Sequence, residues 1–585
     1  MQKGIFAFSI FLLSVNVAFA DTFYVSTTGS DGSDGSQSRP WRTVAHAARA
    51  VPAGRHTISV GAGTYQEGPV DLKPGVSLQG AGRERTTIRN NTFTWWSGAI
   101  RLVSAGATAG DQGVSGLTLD GMNAAGFEGV QILNRSGVRL SDVRIQHFFH
   151  CGVDLQASPG MTVRDVEIAD FELRETSRES TGGSYGAITV RGDMENLHFH
   201  DGAIHHVSNN PVGPYGDKSS GYAMKFFPTW SNGGFNNATE YVSKSRIRRI
   251  REIGKPGAAW GGNVPNISFE FWNIGGSEVE ISDCDFSTGL SLEYDPPAPR
   301  GRYAFWVHGN RFAVDIGASV ELAVSNTVVE NNTFDYRGNR NPWNVVGEYN
   351  GKPRGAGNIH VRRNYFLMGG HNTWIWVLIN PARGLHFYHN TVSGTGSPSV
   401  FQVRHKGSPS SDLRIVNNAF DLGSSGSVTA VAYEPGGAQP TGLVLSGNHH
   451  SKGFAGVPAG AAVSGNTQTS PALSRSGGLP LPFLSAAAGG ALVDAGTAAL
   501  PAAPLPMAFS GNAPDVGAFE NGQPAAPPAN RPPAVRLTAP ADNAAAAAGG
   551  GVTLTAEASD ADGSVARVEF FAGTAKIGER TSAPW

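Results

Sequence analysis

Three glutamates and one lysine recur at a single position in a set of short alternating segments. The segments are Gly152-Val153-Asp154-Leu155-Gln156, Gly186-Ala187-Ile188-Thr189-Val190, Gly221-Tyr222-Ala223-Met224-Lys225, Asn266-Ile267-Ser268-Phe269-Glu270, Gly289-Leu290-Ser291-Leu292-Glu293 and Gly317-Ala318-Ser319-Val320-Glu321. Aligned on the leading small residue, their fourth positions are Leu155, Thr189, Met224, Phe269, Leu292 and Val320. All but Thr189 are apolar and are expected to point inward. The fifth positions, Gln156, Val190, Lys225, Glu270, Glu293 and Glu321, then form an outward column. If the segments stack as strands about 4.8 Å apart, three carboxylates and an ammonium couple strongly. Carboxylates about 5 Å apart suit a retaining glycosidase, one as nucleophile and one as acid/base. Glu270 and Glu293 are the expected pair, with Glu321 beside them. Lys225 would tune their pKa values or bind a hydroxyl. Without such a role, outward charges are an ordinary solvated face.

Aromatic residues crowd the same stretch: Phe226, Phe227, Trp230, Trp260, Phe271, Trp272, Tyr294, Trp306, Trp343, Trp374 and Trp376. Flat rings pack on the C–H faces of sugars, so Trp272, Tyr294 and Trp230, with Gln156, are the expected substrate contacts. Large apolar residues also simply cover loops. Long insertions at 173–186, 207–221, 228–239, 252–266 and 294–304 would wall a cleft. His147, His150, His198, His200, His205 and His206 cluster in sequence, but no pair has firm zinc-motif spacing. They are read as surface or core histidines. Asp283 and Asp285 suit a turn. Asp560-Ala561-Asp562-Gly563 resembles a calcium loop without its remaining ligands.

These positions need a scaffold that repeats. A turn of the form x-Asn-x-Phe/Val recurs at Gly309-Asn310-Arg311-Phe312, Asn331-Asn332-Thr333-Phe334, Arg363-Asn364-Tyr365-Phe366, His389-Asn390-Thr391-Val392, Asn417-Asn418-Ala419-Phe420 and Gly447-Asn448. The spacing of roughly 22 to 32 residues is that of a stacked solenoid coil. Such a unit cannot bury its own apolar face and must stack. Asn tolerates the left-handed turn conformation, and its amide can bond the Asn of the next coil.

The chain has 585 residues and 77 glycines, consistent with an all-β protein rich in turns. Its net charge is −2 with 16% charged residues, which argues against a nucleic-acid partner. Cys151 and Cys284 are the only cysteines and are expected to be buried thiols several coils apart. Residues 1–20, with Lys3, the apolar run Ile5 to Val17 and Ala18-Phe19-Ala20, read as a cleaved signal peptide. That predicts a secreted or periplasmic protein, soluble and not inserted in a membrane. Residues 21–521 read as the solenoid, 522–533 as a Pro/Ala linker and 534–585 as a second small β unit.

With the repeat in view, the chain resembles the right-handed parallel β-helix proteins of the pectate-lyase-like group, many of them polysaccharide-active. Phe23-Tyr24-Val25-Ser26-Thr27-Thr28-Gly29, Pro40-Trp41-Arg42-Thr43-Val44-Ala45 and Ile58-Ser59-Val60-Gly61-Ala62-Gly63-Thr64-Tyr65 are similar to that group's N-terminal signature. The resemblance implies a helix after Pro40 that caps the solenoid end. Ala491 to Gly496 and Pro514 to Glu520 match the C-terminal end. The tail, with Ser559-Asp560-Ala561-Asp562-Gly563 and Val568-Glu569-Phe570-Phe571, resembles bacterial immunoglobulin-like domains and is shorter than the full pattern. The resemblance also implies a lyase alternative, in which Lys225 is the base and the glutamates hold calcium. A fold of this kind hosts many functions. The first reading is glycoside hydrolysis of a polysaccharide. Calcium-dependent β-elimination is the second. A non-catalytic glycan-binding or adhesin solenoid is the third. A monomer is expected.

Overall fold

The computed structural model describes residues from Ala20 to Ala583 with breaks, the longest at 177–185, 206–221, 254–266, 521–533 and 541–551. Residues 1–19, and with them the signal-peptide reading, lie outside the described residues. The chain forms two compact units, Met1–Asn521 and Gly522–Trp585.

The first unit is a parallel β-helix, with right-handed coils as parallel crossovers demand. Its strands from Thr22–Val25 to Ala462–Ser464 join in one parallel sheet, apart from a small antiparallel hairpin, Trp230–Ser231 with Gly234–Phe235. Strand alternation sends Ile, Val, Leu and Phe side chains into one continuous core. Phe286, Phe312, Phe334 and Phe366 stack one per coil inside it, with centroids 4.6–5.0 Å apart and rings nearly parallel.

The asparagine ladder forms as the repeat implied. Asn310, Asn332, Asn364, Asn390, Asn418 and Asn448 are buried. Each donates its amide Nδ2 to the Oδ1 of the next, at 2.9–3.1 Å. Asn448 continues to Asn466, a rung the motif did not reveal. Each Oδ1 also accepts the preceding rung's backbone N–H, as Asn364 does from Asn332 at 3.1 Å. The left-handed turn residue is the one before the ladder Asn: Gly309, Asn331, Arg363, His389, Asn417 and Gly447 all have φ between 50° and 67°. The ladder Asn therefore serves as a connector, and its neighbour makes the turn. Arg363 and His389 adopt a conformation that costs most residues energy, which shows how firmly the ladder holds the turn.

The helix Val44–Ala50 begins after Pro40 and buries Val44, Ala47 and Ala48 against the first strands. Thr43 accepts the His46 N–H, and the Glu67 carboxylate accepts the Val44 and Ala45 N–H groups. The segment around Leu492 to Glu520 folds back along the coils. His389 bonds the Asp515 carbonyl at 2.8 Å, and Thr391 Oγ1 accepts the Ala518 N–H at 2.9 Å. Cys151 and Cys284 are buried free thiols.

Among the described residues the second unit, by itself, has two antiparallel strand pairs, Ala534–Ala539 with Thr555–Ser559 and Val568–Ala572 with Ala575–Arg580. The Asp560–Gly563 loop lies outside the described residues.

Asn364→Ala removes one ladder rung and leaves the Asn332 and Val329 partners bare in the core. It is expected to cost about 3 kcal/mol and to lower the thermal midpoint by several degrees, as followed by circular dichroism.

Candidate functional site

One face of the solenoid carries the site. Its strands are Gly98–Asp120 (first part), Glu128–Gln146 (first part), Cys151–Gln156, Gly186–Arg191, Tyr222–Phe227, Ile267–Phe271, Gly289–Leu292, Gly317–Leu322 and Pro342–Val346. Their pairing sets a column: Asp71, Arg101, Gln131, Asp154, Thr189, Lys225, Glu270, Ser291, Glu321, Val345. Lys225, Glu270 and Glu321 stand where the alignment put them. Glu293 and Gln156 do not. Ser291 holds the stacked position, and Glu293 lies two residues further, on the diagonal from Glu270. Gln156 pairs with Arg191, a residue beyond the column. Val190 points into the core, and Thr189, which interrupted the apolar positions, belongs to the column. The expected Glu270/Glu293 stacking at one strand spacing is thus replaced by a diagonal arrangement.

These charges are not a solvated face. Lys225, Glu270, Glu293 and Glu321 are 3–5% exposed. Lys225 forms an ion pair with Glu270 Oε2. Its Nζ also lies 4.0 Å from the centroid of the Tyr222 ring and 5.4 Å from that of Trp272. Ser291 Oγ donates to Glu293 Oε1 at 2.9 Å. Burial pushes the Lys225 ammonium down to about 7, against the pull of the Glu293 carboxylate. Burial pushes the Tyr222 hydroxyl up to about 12, and the Glu293 and Glu321 charges add to the effect. Two groups with similar ordinary pKa values are thereby driven far apart in contact with each other.

Tyr222 was missed because alternation assigns residues 222 and 225 to opposite faces. As the first residue of its strand it lies against the Lys225 side chain nonetheless. Tyr294 is buried directly after Glu293, and Trp272 is half-buried beside Lys225. The backbone of Trp230 sits in the hairpin, but its side chain lies outside the described residues, as does Trp260. Phe226, Phe271 and Trp376 are core residues, and Phe226 stacks on Phe271 at 4.1 Å. Trp306 is on another face, stacked on His308 at 3.9 Å and bonded to Glu330. Two coils before Lys225, the fully buried Asp154 accepts from Arg191 at 2.7 Å and from Gln156. His147 bonds Asp120, and His200 lies between Asp201 and Glu167. Of the expected cleft walls, 207–221 lies wholly, and 173–186, 228–239, 252–266 and 294–304 partly, outside the described residues. Among the described residues no helix is long and apolar enough to cross a membrane.

Residues 27–212 match the family described as Protein of unknown function (DUF1565), and residues 533–585 match the Bacterial Ig domain family. No curated protein matches the chain in sequence. Among solved structures, the catalytic unit of a GH87 alpha-1,3-glucanase from Streptomyces thermodiastaticus is 13% identical with a TM-score of 0.36; the match covers 66% of this chain and 64% of that one. An alginate lyase from Paenibacillus sp. is 11% identical with a TM-score of 0.30, covering 71% and 98%. The surface protein and adhesin PfbA of Streptococcus pneumoniae is 12% identical with a TM-score of 0.35, covering 72% and 94%. The chain thus spans less than two thirds of the glucanase unit, and none of these likenesses assigns an activity.

Lys225→Met leaves the Glu270 carboxylate buried without its cation and is expected to cost about 3–5 kcal/mol. Adding Glu270→Gln should recover much of that loss. Denaturant melts of the two single variants and the double variant measure the coupling; additive losses would show that the pair does not interact.

Proposed function

We propose that this chain is an exported polysaccharide-processing enzyme that cleaves uronate-containing glycan by β-elimination, with Lys225 as base and Tyr222 as acid. The observation that carries the reading is their opposed displacement. Lys225 at about 7 is half unprotonated near neutrality, while Tyr222 at about 12 keeps its proton. Groups pushed apart in this way mark a base and an acid. The neutral Lys225 amine removes the proton α to the uronate carboxylate. The electron pair left on carbon forms a C=C bond as the bond to the leaving glycosidic oxygen breaks. Tyr222 gives its proton to that oxygen.

A uronate entering this site meets three carboxylates and a single ammonium. Glu293, Glu321 and Ser291 are an all-oxygen donor set, the kind calcium takes. The buried excess of negative charge fits such an ion. A bound calcium would offset the uronate charge and make the α proton more acidic. Trp272, half-buried beside Lys225, would pack on a sugar ring. Hydrolysis by Glu270 and Glu293 is less well supported, because Glu270 is engaged by Lys225 and the two carboxylates are not stacked.

Incubation with uronate and neutral glycans, with calcium and with chelator, is expected to yield ultraviolet-absorbing unsaturated ends only from uronates, and less after chelation. Lys225→Ala and Tyr222→Phe should each lower the rate about 10²–10⁴-fold. Because Lys225 must lose its proton to act, kcat/KM should rise with pH through about 7. New reducing ends without ultraviolet absorbance would overturn elimination in favour of hydrolysis.

A further inference from the structure

Two and three coils before Lys225, the same face holds a second polar group that the proposed reaction does not use. We infer that Glu128, His150 and Cys151 bind one divalent transition-metal ion, with zinc the best match to the donors. Glu128 and Cys151 pair directly on adjacent strands, and His150 precedes Cys151. The His150 backbone N–H donates to the Phe127 carbonyl at 2.8 Å. One ligand atom from each residue lies within 4.8 Å of the others. His150 Nε2 is 4.0 Å from Glu128 Oε1. All three residues are fully buried.

The decisive observation is Glu128 itself. Neither of its carboxylate oxygens has a hydrogen-bond partner among the described residues, although the residue is 0% exposed. A buried carboxylate with both oxygens bare is costly unless it is protonated or coordinates a cation. Asp154 Oδ1, buried in the same group, is also without a hydrogen bond among the described residues. The imidazole is held in place: His150 lies flat on Phe127, with centroids 4.7 Å apart, and edge-on to Trp96 at 5.1 Å.

The donor chemistry selects the metal. Carboxylate, imidazole and thiolate together suit zinc or its first-row neighbours, whereas calcium and magnesium take oxygen donors. Zinc bonds of about 2.0–2.3 Å in a tetrahedron place ligand atoms roughly 3.5 Å apart. The cluster needs a closure of about 1 Å to reach that geometry, within side-chain rotation. Electrostatics agree. Burial and the Asp154 charge push Glu128 well up, and burial with the Glu128 and Asp154 charges does the same to Cys151. A divalent ion would reverse both effects. Arg191 and Arg101 also face Glu128, but Arg191 is engaged by Asp154 and Arg101 by Asp71.

The inference is independent of the Lys225 chemistry and is tested without any glycan. The full chain, stripped with chelator and titrated with cobalt(II), is expected to bind one equivalent here. That binding should show a thiolate-to-metal charge-transfer band in the near ultraviolet and four-coordinate visible bands. Calcium bound at Glu293 and Glu321 could give neither band. Zinc should displace cobalt. Cys151→Ser should abolish the charge-transfer band, Glu128→Gln should weaken zinc at least about 10-fold, and Cys284→Ser should change neither. A wild-type chain without the band, or a Cys151→Ser chain that keeps it, overturns the site and leaves Glu128 as a buried neutral acid. If Cys151→Ser fails to fold, the wild-type cobalt spectrum decides alone.

Discussion

Everything in the first unit depends on one coil lying on the next at strand spacing. A coil has no core of its own, so each side chain finds its main partner at the equivalent position of the neighbouring coil. Like residues can then serve one another. Asparagine is suited to this because its amide donates and accepts at once, and every rung from Asn310 to Asn466 uses both capacities. Phenylalanine stacks for the corresponding apolar reason. Carboxylates cannot repeat in this way, because like charges at that spacing repel.

The site face shows how that constraint is met. Between Thr189 and Glu321 no two carboxylates are stacked neighbours in the column. Lys225 stands beside Glu270, Ser291 separates Glu270 from Glu321, and Val345 then closes the polar run. Glu293 is displaced to the diagonal, where Ser291 bonds it. The same interleaving places Lys225 in dry surroundings near both an acid and a tyrosine. Its lowered pKa follows from burial, and burial follows from its position on the solenoid.

The fold was legible because the solenoid writes its period into the sequence. An asparagine every coil, a large apolar residue, most often Phe, two residues on and an alternating strand before them suit a stacked coil and little else. The site was legible only in part. Strand alternation survives an error of two residues, so Gln156 and Glu293 were placed on the correct face but out of the column. An error of one does not survive, which is why Val190 proved to be core. Thr189 carried the signal: a lone polar residue among apolar fourth positions marks a slipped alignment. Irregular pairing near Ile267 and Ala318 and loops of unequal length shift where each strand begins. Tyr222, at a strand start, follows no alternation that sequence could reveal.

The two polar groups on this face solve the same problem differently. Around Lys225 an ammonium from the neighbouring coil balances buried negative charge, and the donors are oxygen apart from that amine. Around Glu128 the Arg191 guanidinium is engaged by Asp154, and the ring nitrogen and thiol beside Glu128 carry no fixed positive charge. A carboxylate there must hold a proton or meet a cation from outside. Three donors of different kinds, gathered from two adjacent coils and held by aromatic rings, make the second solution the better match to what surrounds it.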